Sequence, residues 1–169
     1  MRRAVYPGSF NPPTIAHYDL SLAVCEQRNV DVVVWSLSVR TLGKDNDVRP
    51  TIGERHDLLQ SLAADVAWLE VQTTESQLLS DIARGFDVVV MGADKWEQIN
   101  EPQWYQSDDE RTAALASLPE LAVAPRSPHG APAEHLIAFE NMHRVSSTAA
   151  RAGAHHLMHP AARASGLWD

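Results

Sequence analysis

The stretch DVVVWSLS (Asp31 to Ser38), with its near counterpart FDVVVMG (Phe86 to Gly92), decides the fold class. Both are almost unbroken runs of β-branched and apolar residues, without the polar alternation of a sheet that turns one face to water. Strands of this kind are covered by helices on both faces, so both are expected at the centre of a sheet. Working outward, Arg3 to Tyr6 reads as a short first strand, and VAWLEV (Val66 to Val71), LAVA (Leu121 to Ala124) and HLIAF (His135 to Phe139) as weaker ones. Pro119 and Pro132 precede the last two and suit strand starts towards a sheet edge.

Between the strands, Ile15 to Gln27 and Glu54 to Ala64 carry apolar residues at helical spacing. Ser76 to Arg84 reads as a third helix and Asp108 to Ser117 as a fourth, with Ser107 as N-cap and Asp108, Asp109 and Glu110 set against the positive helix start. Ser146 or Ser147 caps a fifth that runs towards Gly153. The alternation predicts βαβ units: a single Rossmann-like, three-layer α/β/α domain over residues 1–169 with a mainly parallel sheet. Val39 to Thr51, with Gly43, Lys44 and Pro50, reads as a mobile loop, and Arg126 to Glu134 as a second polar loop.

The 169 residues, 44% hydrophobic and 21% charged, fit one globular core and exclude bulk disorder. Fourteen Lys and Arg against 22 Asp and Glu give a net charge of −8, which argues against nucleic acid or an anionic membrane as a partner. An anionic ligand therefore needs a locally positive pocket. The lone Cys25 can build neither an internal disulfide nor a thiolate zinc site, which fits a reducing cytoplasm. The opening MRRAVYPGSF lacks the apolar region of a signal peptide, and no window approaches the roughly 20 apolar residues of a membrane span, so a soluble cytoplasmic protein is expected. His155, His156 and His159 have helical spacings that suit zinc, but no Cys, Asp or Glu completes a set before Asp169, and Pro160 interrupts the element. No metal ligand is assigned.

The segment AVYPGSFNPPTIAHYDL (Ala4 to Leu20) places Pro-Gly-Ser at the end of the first strand and returns the chain as a helix carrying His17. In open α/β sheets ligands bind at the carboxyl ends of the strands. Gly8 lets a phosphate or ribose approach the main chain, and Thr14 and His17, one helical turn apart, can face the same point. Taken alone, a His at a helix start is a surface or capping residue. Near the other end, VSSTAAR (Val145 to Arg151) joins the hydroxyls of Ser146, Ser147 and Thr148 at a helix start to Arg151, a combination suited to a polyphosphate. Its plainer reading is a serine cap followed by a solvated arginine. For both segments to serve one triphosphate, the opening bend and the late serine-rich bend must meet in space.

GSFNPPTIAH resembles the first signature of the nucleotidyltransferases of (T/H)-x-G-H type, and VSSTAAR resembles their second, I-S-S-T-x-x-R; the ordered pair spans nearly the whole chain. The first departs from the usual pattern at Thr14, where many members carry His although pantetheine-phosphate adenylyltransferases also have Thr. It departs again at Ala16, where Gly is usual and the added methyl is expected to face the nucleotide. FDVVVMGADKW (Phe86 to Trp96), followed by EPQWYQSDD and a strand ending in Arg126, is similar to nicotinate- or nicotinamide-mononucleotide adenylyltransferases. YPGSFNPPT and the Glu54-Arg55 pair after a lysine-bearing loop also resemble pantetheine-phosphate adenylyltransferases. Cytidylyltransferases, with their usual Gly-x-Ser-Thr-Thr second motif, stand third.

The resemblance implies transfer of AMP from ATP to the phosphate of a pyridine mononucleotide, with release of pyrophosphate. The alternatives are phosphopantetheine or another phosphorylated acceptor, and a nucleotide-binding relative with little catalysis. It implies His17, Thr14 and Arg151 as catalytic residues and Gly8, Ser9, Phe10, Gly92, Asp94, Ser146, Ser147 and Thr148 around ATP. Trp96 and Trp104, with Tyr105, are expected near the pyridine ring, and Lys44 or Arg40 is expected to close over the phosphates from its loop. Mg²⁺ is expected with ATP, held by phosphate oxygens and water. A homo-oligomer stays open.

Overall fold

The computed structural model describes residues 1–39, 49–140 and 145–169. In chain order it contains β1 (Arg3–Gly8), α1 (Ile15–Arg28), β2 (Val32–Ser38), α2 (Ile52–Ala63), β3 (Leu69–Thr74) and the single turn α3 (Leu79–Ile82). Then follow β4 (Val88–Gly92), α4 (Ala93–Asn100), α5 (Asp108–Ala116), β5 (Glu120–Ala124), α6 (Ser147–Arg151) and α7 (Pro160–Ser165). The five strands form one all-parallel sheet in the order β3-β2-β1-β4-β5, the Rossmann-like arrangement expected from the alternating pattern. β1 lies at the centre, where Val5 pairs with Val34 on one side and Val89 on the other.

The unbroken apolar runs follow from this layering. Ala4, Tyr6, Val33, Trp35, Val88 and Val90 pack with Leu20 and Val24 of α1 and Leu59 and Leu62 of α2. On the opposite face, Val5, Val89, Met91, Leu121 and Val123 pack with Leu79, Ile82, Ala93 and Ile99. Successive residues of a strand point to opposite faces, so burial of both faces requires an apolar residue at nearly every position.

Several elements differ from expectation, among them α4, which was not expected, and β3, which lies at Leu69–Thr74 and not at Val66 to Val71. HLIAF forms one parallel bridge, Val123 to Leu136, beside β5 and no strand, and a 3-10 turn at Ala133–His135 leads into it. The third helix is confined to α3, and the chain turns at Gly85, whose φ of 84° lies in the left-handed region that glycine favours. Pro160 starts a helix: it is the first residue of α7, where its missing N–H costs nothing, and His159 Nδ1 caps the turn by accepting from Ala161 N at 3.2 Å. Among the described residues no three His, Cys, Asp or Glu gather as a metal set, and no helix is long and apolar enough to cross a membrane.

Trp35, fully buried in β2, donates its indole N–H to Ser21 Oγ at 2.8 Å, and Ser21 Oγ donates onward to the His17 carbonyl at 2.8 Å. The sheet core is thereby tied to the helix that carries His17. Ser21→Ala leaves a buried indole donor unpaired and is expected to lower stability by about 1–3 kcal/mol with the fold retained, as read from urea unfolding.

Candidate active site

In this strand order the chain runs from β1 through β2 to β3 and then crosses to the other side of β1 for β4. The crevice where the order reverses opens at the carboxyl ends of β1 and β4, at Gly8 and Gly92. A cleft of about 450 Å³ lies there, a size ordinary for a small-molecule site. Gly8, Ser9, Phe10 and His17 line it from the first bend and Gly92 and Asp94 from the second, so six of the residues singled out in the sequence share one surface.

The geometry of His17 begins at Thr14. Thr14 is the N-cap of α1, and its hydroxyl accepts from His17 N at 3.4 Å. In return, the main-chain N–H of Thr14 donates to His17 Nδ1 at 2.9 Å, with Thr14 Oγ1 2.8 Å from the same nitrogen. A main-chain N–H can only donate, so Nδ1 is the acceptor and the proton of the neutral ring sits on Nε2. Burial, reinforced by the Arg126 charge, lowers the pKa of His17 from 6.5 to about 4, so the ring is neutral at physiological pH. His17 thus offers the cleft one fixed, uncharged N–H donor. Thr14 itself is buried and does not line the cleft; it positions His17 in place of the direct contact expected for it.

Phe10 also acts from beneath. Its backbone has a φ of 42°, uncommon for a residue with a large side chain. The ring is 1% exposed, stacked on Trp35 at 4.7 Å and tilted against His17 at 5.0 Å. Gly8 makes room for it, since a Cβ there would stand 3.1 Å from Phe10 Cε2. A side chain at Gly8 would thus crowd the aromatic prop under His17 before any ligand is considered. Ala16 is buried in the core with these rings and is absent from the cleft lining, which corrects the expectation that its methyl faces the nucleotide.

At the second bend Gly92 ends β4 and caps α4. A Cβ on Gly92 would lie 2.5 Å from Asp94 Oδ1, closer than any relaxed contact, so glycine is needed for the carboxylate to turn back over the strand end. Asp94 Oδ2 pairs with Arg126 Nη1 at 3.4 Å, and Arg126, just beyond β5, lines the cleft. Lys95 lines it too, its pKa lowered by burial against the opposing pull of Asp94. Arg126 and Lys95 supply the local positive charge that an acidic chain needs for an anionic ligand. Neither was assigned to the site from sequence, although the strand ending in Arg126 was noted and Lys95 adjoins Asp94.

The two distant bends do meet, side chains of the second holding main-chain carbonyls of the first. Ser147 Oγ donates to the Pro12 carbonyl at 2.8 Å, and the Arg151 guanidinium donates to the Asn11 carbonyl. Ser146 caps α6 by accepting from Ala149 N at 3.0 Å. Arg55, which is 7% exposed, donates to the Ser9 carbonyl at 2.6 Å and the Pro50 carbonyl at 3.2 Å. These side chains hold the back of the first bend, and Ser146, Ser147, Thr148 and Arg151 do not line the described cleft. The expected helix N-terminus is also slight, because α6 has only five residues. Trp96 packs in the second core cluster with its ring 5.6 Å from His135, and Trp104 is 37% exposed on the 3-10 turn Pro102–Trp104, its indole N–H donating to Glu101 Oε2 at 3.2 Å. Both are off the cleft, as is Tyr105, whose hydroxyl donates to the Ile99 carbonyl at 2.7 Å. Arg40 and Lys44 lie outside the described residues.

The family described as cytidylyltransferase-like matches residues 5–153, a span that begins in β1 and ends just after α6. The chain belongs to the cytidylyltransferase-like family. Membership in this branch of the nucleotidyltransferase superfamily carries nucleotidyl transfer from a nucleoside triphosphate as its activity. No curated protein matches the chain.

Two outcomes follow from this geometry. Unfolded histidine takes up a proton near pH 6.5 and folded His17 only near pH 4, so stability falls as pH drops through that window. Urea unfolding at pH 7 and pH 4.5 is expected to show wild type losing more stability than His17→Gln. Gly92→Ala is expected to displace the Asp94 carboxylate and weaken nucleotide binding about tenfold by calorimetry, with far-UV circular dichroism unchanged.

Proposed function

We propose that the protein is an adenylyltransferase that moves AMP from ATP to the phosphate of a pyridine mononucleotide and releases pyrophosphate. The observation that carries this reading is the neutral Nε2–H of His17, fixed by Thr14 and presented to a cleft whose rim holds Arg126 and Asp94. An acceptor phosphate oxygen attacks the α-phosphorus of ATP; the new P–O bond forms as the bond to the β-phosphate oxygen breaks. A phosphate monoester is already ionised near neutrality, so the step needs no strong base. Catalysis is positioning together with stabilisation of charge on the transferring group. A neutral donor suits this role, since it binds a phosphate oxygen without needing to hold or lose a proton.

Asp94, paired with Arg126 at 3.4 Å, is suited to accept from a ribose hydroxyl. The sequence similarity around Gly92, Asp94 and Arg126 supports a pyridine mononucleotide as acceptor. With Trp96 and Trp104 off the cleft, the apolar wall of Leu79, Ile82 and Met91 beside Gln77 is the surface suited to a flat ring. Arg55 and Arg151 support a polyphosphate nearby: burial and the Arg151 charge lower the pKa of Arg55, and among the described residues no carboxylate offsets them. An anion at that end relieves the repulsion of two adjacent guanidiniums. The described carboxylate of the cleft is already paired with Arg126, so Mg²⁺ would be held by the phosphate oxygens and water and would supply charge neutralisation there.

Pyrophosphate release from ATP with nicotinate mononucleotide, nicotinamide mononucleotide, phosphopantetheine and riboflavin phosphate tests the reading. Release is expected with a pyridine mononucleotide, and His17→Ala is expected to lower kcat by about 10² to 10³, the scale of one pre-organised donor. Release with phosphopantetheine alone moves the acceptor class, and ATP binding without release from any acceptor overturns the enzyme reading.

A further inference from the structure

The family match ends at residue 153, yet the chain beyond it returns to the first bend. Trp168 Nε1 donates to Asn11 Oδ1 at 2.7 Å, across 157 residues of sequence. His159 N donates to the Pro13 carbonyl at 2.9 Å, and Met158 bridges to Thr14. Trp168 packs on a small separate cluster of Ala150, Met158 and Ala162. Asn11 is 7% exposed and held twice, its side-chain oxygen by Trp168 and its carbonyl by Arg151. Three residues later, Thr14 N–H fixes the tautomer of His17.

We propose that Met158–Asp169 is a latch on the first bend, with Trp168 a positioning residue that acts through Asn11 and Thr14 on the orientation of His17. The latch rests on the reading of His17 as the phosphate donor. The bend contains Pro12 and Pro13, which provide no N–H groups of their own, so it cannot be held by an internal ladder and depends on donors brought from elsewhere. Trp168 provides one of these from a segment that the family match does not include.

The test is a pH titration of the imidazole nitrogens by NMR in wild type, Trp168→Phe, Asn11→Leu and the double variant, with no substrate present. Phenylalanine keeps the packing and removes the N–H. Tyr6, Phe10 and Trp35 surround the His17 ring, and Arg126 is the charge acting on it; none of these is altered by the variants. Loosening the bend admits water and weakens the Thr14 contact, so His17 is expected to titrate about one unit higher in each single variant and no higher in the double. Turnover with the acceptor that wild type uses is expected to fall about fivefold in kcat with KM changed less than about twofold. If Trp168→Phe does not fold, Asn11→Leu carries the titration. A folded variant in which His17 titrates as in wild type overturns the latch, as do additive shifts in the double. A shifted His17 in a protein that releases pyrophosphate with no acceptor supports the latch and overturns the functional reading alone.

Discussion

The hydrogen bond from Thr14 N–H to His17 Nδ1 determines the chemistry of the cleft. It selects the tautomer and helps fix the ring, and burial keeps that ring neutral. Much of the nearby structure supports that one contact. Phe10 props the ring from below in a left-handed backbone conformation, Gly8 gives Phe10 its space, and Ser21 ties the helix carrying His17 to Trp35 in the core. An isolated Phe with positive φ costs on the order of 1–3 kcal/mol, and the stacked, fully buried aromatic cluster offsets it. In the proposed reading this rigidity matters, because a donor that must stay in place through charge redistribution is effective only if its surroundings do not reorganise.

The first bend is held from behind by side chains remote in sequence. Arg55 binds its Ser9 carbonyl, Arg151 its Asn11 carbonyl and Ser147 its Pro12 carbonyl. Two signature segments that look in sequence like two halves of a ligand site are thus also two halves of one structural joint. A guanidinium has five donors, so gripping a carbonyl leaves Arg151 with others. It stands near enough to Arg55 for its charge to lower the Arg55 pKa, so the joint gathers two like charges behind the bend.

Most of the fold was legible because its signal is apolar continuity. Asp31 to Ser38 and Phe86 to Gly92 read as central strands and are central, and the capping residues Ser107 and Ser146 were visible as hydroxyls before helical patterns. α4 was missed because it begins at Ala93, directly after the last residue of β4, so the strand pattern runs straight into it. α7 was missed because Pro160 reads equally as a stop and as a first helical residue. In the site, residues local to the two strand ends were legible, since strand–turn–helix sequence places them together. Arg126 and Lys95 were not assigned, because charge on a cleft rim has no periodic signature. The contacts that hold Thr14 and Arg151, and the place of Trp104 off the cleft, were not legible, since sequence lists which polar groups are present and not which partners they take.

The position of β1 has a bearing on how the chain is made. This strand holds the middle of the sheet, with β2 on one flank and β4 on the other. On the ribosome, residues 3–8 can find β2 first, but their second edge stays bare until residues 88–92 have been synthesised. At translation speeds of about 5–20 residues per second that is an interval of several seconds or more. The crevice between the ends of β1 and β4 cannot exist before that edge closes, so anything that binds there waits on a pairing between segments far apart in sequence.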